Sequence, residues 1–589
     1  MSRKTPRALV GLVLSAAVAV ALSGCVEIPD HGSIRTVKGT GDATDDFGKV
    51  HIPPGPQKGA QSSAIVDGWF EAMTALPVST TVAREFLLAR AGQVWAPDGG
   101  FLTYELKSEP EGLGALGVTL FRVNEFDARG QWLDSEPTRE IAFDMDVEGT
   151  GQWRIRAIRD VGGAKDVAAQ RSMIVSSSWF AQQAQPLSIY FFSPDDTSVV
   201  PEPVYLPSGD QQPTLLVRAL LAGPVDGRVE HSFVPDGVSL DPVTVDGDGV
   251  AEIPLTGLSP DTPPATVKRM ATQFAWTLRQ IPTIRAVRIS VDGAALRLPG
   301  NASKLPVASA LDFDPAGTSA TDELYGLRDG LAVRVIDGIE QALLGPFGKR
   351  NYGLRDISVS LDGDKMAGVT RGGDRILESG VVGAKGAVPN PVFTGGVDLL
   401  HPAWDPAGRL WAIDRRPSGA VVWVLRAGGR QRVEVPEVSG AQVIDFLVSR
   451  DGTRFVAAVR GPSGDRMVVS RIVAGGRSVR AVDPRTIISY EGSDHRVRDI
   501  GWRSPTEIYY LSAQSGRSAE IRSATLDGAP SSFDLGTYYA AVDESVEAVV
   551  SSPREDESLY LQHADNGVEP VAPGGPKIPT GIVALTYVG

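Results

Sequence analysis

The sequence predicts a multidomain chain, part α+β and part all-β. An α+β domain and a small α/β domain precede a C-terminal β-propeller of about six blades. Three observations carry this. A strand–turn–strand unit recurs through Gly363, Gly408 and Gly452 at spacings of 45 and 44 residues, the length of one four-stranded propeller blade. Ahead of it, two stretches set helical periodicity beside alternating strand residues. At the start, a positive head and a short apolar run end at Cys25, the single cysteine among 589 residues.

Arg3, Lys4 and Arg7 form the positive head, and Ala8 to Leu22 the apolar run. The run is shorter than the ~20 residues of a membrane-spanning helix, so residues 1–24 read as a secretory signal. Leu22-Ser23-Gly24-Cys25 resembles the bacterial lipobox. That resemblance implies cleavage before Cys25 and lipidation of its sulfur with diacylglycerol, a palmitate-type anchor. A thiol is the strongest side-chain nucleophile, and the small Ser23 and Gly24 open the backbone to a peptidase. Residues 25–60 then read as the lipidated cysteine and a tether. Val26-Glu27-Ile28-Pro29-Asp30 and Pro53-Pro54-Gly55-Pro56 carry no period of 2 or 3.6, the signature of a linker. About 35 flexible residues span ~30–35 Å r.m.s.. The alternative is a short strand around Lys49-Val50-His51-Ile52, added to the next domain.

The formal charge of the whole chain is −14. Loss of Arg3, Lys4 and Arg7 with residues 1–24 takes it to −17. An acidic body argues against nucleic acid as a partner. With Cys25 acylated no thiol is left, which excludes disulfides, thiolate metal sites and cysteine nucleophiles.

The first domain is expected at 61–165. Ala64, Ile65, Trp69, Ala72, Met73 and Leu76 lie on one helical face that Pro77 ends, and Thr80–Arg90 reads as a second helix. Strands follow at 101–107, 116–126, 138–146 and 153–159, separated by Gly-bearing turns. Helices followed by an antiparallel sheet make an α+β domain. The order resembles the cone-shaped NTF2-like fold.

The second domain is expected at 186–300. It reads as strands at 187–192 and 204–206, a helix opened by Pro213 and stopped by Gly223-Pro224, a hairpin over 243–255, a long helix from Val267 to Ile281 and a strand at 284–291. Leu220-Leu221-Ala222-Gly223-Pro224, Ser232-Phe233-Val234-Pro235-Asp236-Gly237 and Val287-Arg288-Ile289-Ser290-Val291-Asp292-Gly293 resemble the GerMN domain of germination and envelope proteins. That implies an extracytoplasmic module without a reaction of its own. Asp246 and Asp248 suggest calcium, but Val250 and Ala251 stand where an EF-hand needs a ligand and a glycine.

The third domain is expected at 301–589. The repeats run Ile357–Val369, Pro402–Ile413 and Phe446–Ala458, with weaker copies from Ile500 and Val549 and a degenerate one near Asp322–Val335. One small sheet cannot bury both faces, so such units stack around an axis. Closure is expected from a terminal strand, 581–588 or 308–313. Seven blades is the runner-up.

Lipobox, acidic tether, α+β domain, GerMN-like domain and propeller, in this order, resemble the LpqB family of actinobacterial lipoproteins. The resemblance implies an accessory to the MtrAB two-component system, touching the extracytoplasmic domain of its sensor histidine kinase in envelope and cell-division control. No other feature of the sequence points to chemistry. His31, His51, His231, His401, His495 and His563 are scattered without zinc spacing. Gly461-Pro462-Ser463-Gly464-Asp465 falls short of a nucleophile elbow, and Gly345–Arg350 of a P-loop. His401, opening a blade strand, is a candidate for the central channel.

The expectation is therefore a non-enzymatic adaptor without cofactor or metal. It is held by lipid at Cys25 on the outer face of the cell membrane, with a sensor kinase as partner. The alternative is a cell-wall glycan-binding lipoprotein using Trp404, Trp411 or Trp502 as platforms. A propeller hydrolase would require two converging carboxylates of perturbed pKa.

Overall fold

The computed structural model describes residues 50–161, 168–383, 386–475, 478–513, 518–533 and 538–589. The signal segment, Cys25 and the tether up to residue 49 lie outside the described residues.

The first domain opens with α1 (Ser62–Ala72), which buries Ile65, Val66, Trp69 and Phe70. It stops one turn before Pro77. The second predicted helix is two short ones, α2 (Thr81–Glu85) and α3 (Ala89–Val94). The sheet is built from β1 (Gly100–Tyr104), β2 (Leu106–Lys107), β3 (Ala115–Asp127), β4 (Trp132–Val147), β5 (Trp153–Val161) and β6 (Met173–Ser176), in the order β5-β4-β3-β1-β6 with β2 on β3. Trp69 of α1 packs edge-on against Phe143 of β4, centroids 5.4 Å apart.

Two expected boundaries of this domain move. Residues 50–60 are not tether: His51 and Leu76 exchange backbone hydrogen bonds of 3.0 and 2.9 Å, and Gly59 N donates to Gln152 Oε1 at 2.8 Å. The domain also continues past 165 through α4 (Ala168–Arg171), β6 and α5 (Ser177–Gln183). Strand β6 runs parallel to β1, Leu102 opposite Ile174, with Met173, Ile174 and Val175 all buried. A strand covered on both faces has no alternation to read.

The second domain pairs β7 (Ala184–Phe192) with β8 (Val199–Pro207). Helix α6 (Gln212–Leu221) follows, then β9 (Ser239–Leu240), β10 (Thr244–Val245), β11 (Val250–Thr256), α7 (Pro264–Leu278) and β12 (Ala286–Val291), with β11 and β12 parallel. Two short strands, β13 (Ala294–Ala295) and β14 (Leu305–Pro306), add to β12. Asp246 Oδ1 accepts from Asp248 N and Val250 N at 3.0 and 2.9 Å, so this carboxylate holds the β10–β11 turn. The domain reaches past 300 to residue 313. Trp276 Nε1 donates to Ala310 O at 2.6 Å, and Phe313 meets Phe192 at 5.0 Å. Residues 308–313 thus belong to this core and not to ring closure.

Among the described residues, six small antiparallel sheets make up the rest of the chain. Blade 2 takes its inner strand from Leu354–Val359, blade 3 from Ala403–Trp404, blade 4 from Gln442–Val448, blade 5 from Arg496–Ser504 and blade 6 from Val546–Val550. Blade 1 borrows its inner strand from the chain end: Ile582–Thr586 pairs with Leu324–Arg328. Blade 6 has three strands. The repeated glycines Gly363, Gly408 and Gly452 sit at φ 73°, 69° and 73°, the left-handed conformation glycine adopts freely. The seam is fastened by Arg450, whose Nη1 donates to Ala316 O at 3.0 Å and Nη2 to Val588 O at 2.8 Å. Burial pushes that guanidinium down to about 10.

Candidate functional site

Three places gather the chemistry. The first is the junction of the domains. Strand β8 carries Glu202 between Pro201 and Pro203 and presents it to blade 4. Arg454 Nη2 donates to Glu202 Oε1 at 2.8 Å, and Arg471 Nη2 donates to the same oxygen. Arg454 Nη1 also reaches Asp451 Oδ2 at 3.3 Å. Glu202, Arg454 and Asp451 are buried, and so is Glu230. Burial alone would raise Glu202, but Arg471 and Arg454 outweigh it and hold the carboxyl below its usual range. Glu230 goes the other way: burial first, then the Glu202 charge, push it well above the carboxylate range. It stands as the protonated partner of an ionised Glu202. A cavity of about 270 Å³ lies beside this clamp, lined by Trp132, Leu133, Pro203, Val225, Arg471 and Leu526.

The second place is an aromatic plug. Phe533, from blade 5, lies 5.4 Å from Phe126 and 5.4 Å from Phe180 in the first domain, and 6.4 Å from Tyr205 of β8. Tyr205 N donates to Gly130 O at 2.8 Å, and Arg485 stacks over Trp132 at 5.1 Å. All three domains meet here, with little room to hinge.

The third is the channel wall of the propeller. The blade spacing puts His401 at the position that Asp356 and Asp445 hold in their own blades. His401 Nδ1 lies 3.3 Å from Asp445 Oδ1, and its ring stacks on Phe446. Asp499 is raised well above the carboxylate range by burial and then by Asp445. Its Oδ2 accepts from Val549 N at 2.7 Å, tying blade 5 to blade 6.

Both carboxylate pairs converge, and Glu202, Glu230 and Asp499 are shifted from the usual carboxylate range, the feature a hydrolase would need. Three of the four, Glu202, Asp445 and Asp499, have oxygens engaged in fastening, while Glu230 Oε2 has no hydrogen-bond partner. Glu202 binds two guanidiniums, Asp445 Oδ1 accepts from Phe446 N at 2.8 Å, and Asp499 bonds the neighbouring blade. Perturbed pKa values of this kind arise from structural networks as well as from catalysis.

The proposed glycan platforms are not platforms. Trp404, Trp411 and Trp502 are 1%, 0% and 7% exposed and pack inside the blades. Asp465, where the nucleophile-elbow comparison already failed, is a staple: its Oδ2 accepts from Val497 N at 2.9 Å. Gly345–Arg350 holds a four-residue helix with Phe347 buried, a connector between blades. Among the described residues no three His, Cys, Asp or Glu side chains converge on a metal position, and no helix is long and apolar enough to cross a membrane. Sequence reasoning missed the Glu202 clamp and the Phe533 plug, because nothing local marks a contact between residues 250 or more apart.

Comparison with known proteins now follows the same three parts. The LpqB N-terminal domain matches residues 55–163, the sporulation and spore germination (Germane) domain 188–297, and the LpqB β-propeller domain 330–555. The chain belongs to the LpqB lipoprotein family. Lipoprotein LpqB of Thermobifida fusca is 26% identical, over 95% of this chain and 98% of its own length. Lipoprotein LpqB of Streptomyces coelicolor is 26% identical over 94% and 96%, and that of Rhodococcus opacus 28% over 76% of each. The LpqB N-terminal match begins at 55, within the segment that the structure moves from the tether into the first domain.

Proposed function

We propose that this chain is a lipid-anchored, extracytoplasmic adaptor that modulates a sensor histidine kinase of the MtrAB type by protein–protein contact. The observation that carries the reading is the similarity of almost the whole chain to proteins named lipoproteins. The lipobox cysteine Cys25 supports the anchor. The structure adds a mechanical reason: the perturbed carboxylates fasten domains and blades together, so the chain is built as a rigid presenting surface. Tethering raises the local concentration of any membrane partner, so weak contacts suffice.

The test is co-purification from membranes. A sensor kinase should come down with the acylated chain and be lost when the kinase's extracytoplasmic domain is deleted; recovery of the truncated kinase would refute the contact. Cys25→Ala should move the protein from the membrane to the soluble fraction.

A further inference from the structure

The long hairpin of the first domain has two very different ends. At one, the turn between β3 and β4 is planted in the domain junction through Gly130 and Trp132. The other end lies about 40 Å away along the 13 residues of β3. There the start of β3, the end of β4 and the start of β5 come together: Ala115 pairs with Asp144, and Val147 with Trp153. Glu111 and Gly117 bond across the loop that precedes β3, so Gly112-Leu113-Gly114 projects beside the β4–β5 turn.

This free end exposes three large apolar side chains among charged ones such as Glu111, Asp146 and Glu148. Leu113 is 102% exposed, Val147 46% and Trp153 38%. Gly112 sits at φ 146°, where a Cβ would fall 2.2 Å from Ala115 O, so the loop is shaped to hold Leu113 out. Among the described residues, ten of the nineteen exposed large apolar side chains lie between residues 50 and 161. That is the domain that follows Cys25 in the sequence.

We propose that this end is a membrane-docking tip, with Leu113, Val147 and Trp153 entering the bilayer interface. The proposal rests on the lipid anchor at Cys25. Three arguments select the bilayer over a protein partner. Residues 26–49 have linker composition, and 24 such residues reach ~25–30 Å r.m.s., while the segment that follows them is held at the β4–β5 turn, where Gly59 N donates to Gln152 Oε1 at 2.8 Å. The apolar groups are few and sit at one end of the sheet, Leu113 on the loop before β3 and Val147 opposite Trp153 where β4 meets β5. Tryptophan also prefers the headgroup level. The lipid supplies the affinity, and the tip fixes which way the body points.

The experiment uses the full acylated chain in phosphatidylcholine–phosphatidylglycerol vesicles. Acylated Cys25 leaves no free thiol, so Leu113→Cys takes one environment-sensitive fluorophore, and Val382→Cys, on the propeller, is the control. The label at 113 should be quenched by bromolipids at least twofold more than the label at 382. Equal quenching in a chain that still sediments with the vesicles overturns the tip and leaves the anchor standing. Failure to sediment overturns both. A label at 113 that bromolipids do not reach, but that added sensor kinase shields, assigns the tip to a protein partner and also overturns the proposal. Trp153→Ser with the label at 113 should halve the quenching while sedimentation stays unchanged.

Discussion

Glu202 and Glu230 show how two like residues take opposite roles from their surroundings. Glu202 is stable as an anion because Arg471 and Arg454 surround it, while Glu230, buried next to that anion, keeps its proton. Removing Glu202 takes the carboxylate from Arg471 and leaves Arg454 with Asp451 alone, and breaking such a buried network costs about 3–5 kcal/mol. Glu202→Ala should therefore lower the urea midpoint strongly. Glu230→Gln should change little near neutrality, because an amide replaces a carboxyl that is already neutral. The pH dependence has two limbs. The contribution of Glu202 is present above the ordinary 4.5 and is lost as pH falls through its lowered value. The contribution of Glu230 is present below 4.5 and is lost as pH rises through its raised value. The clamp is tightest between the two. Urea midpoints across the pH range, followed by tryptophan fluorescence, should show the alkaline limb flatten in Glu230→Gln and persist in the parent.

Among the elements, those with a local signal were legible and those made by long-range contact were not. The alternation in Leu116–Phe126 and the periodic face of Val267–Leu278 marked β3 and α7 to within a few residues. The glycine spacing marked the blades because each of these turns needs a left-handed residue. Strand β6 was invisible, being four residues long and buried on both faces. The channel wall carried a readable signal that went unused: Leu354-Arg355-Asp356, Val443-Ile444-Asp445 and Val497-Arg498-Asp499 repeat an aspartate at one bulge of each inner strand. The Phe533 plug had none, since a lone phenylalanine in a loop looks the same whether it is solvated or inserted in another domain. Its contacts lock the first domain to blade 5. Phe533→Ala should cost about 3–5 kcal/mol and let limited proteolysis release the first domain from the propeller; an unchanged digestion pattern would mean that the other junction contacts, Arg485 over Trp132 and Tyr205 N to Gly130 O, hold that domain without the plug.

At the scale of the whole molecule, rigidity and tethering make a joint prediction. The clamp, the plug and the seam at Arg450 leave few places where a signal could travel through the chain as internal motion. On the proposed adaptor reading, an influence on a membrane partner depends on how often this surface meets it, a frequency that the length of residues 26–49 would set. For a flexible link the effective concentration falls roughly as the −3/2 power of length. Doubling residues 26–49 with Gly/Ser sequence should thus weaken kinase modulation about threefold, with no change in membrane fractionation or thermal stability. The measurement is the rate of kinase autophosphorylation in vesicles holding both proteins at subsaturating density. A response independent of tether length would mean that contact is already saturated or that the chain acts away from the membrane. Cys25→Ala added at high concentration separates the two, restoring modulation only if contact, and not the lipid itself, is what the kinase reads.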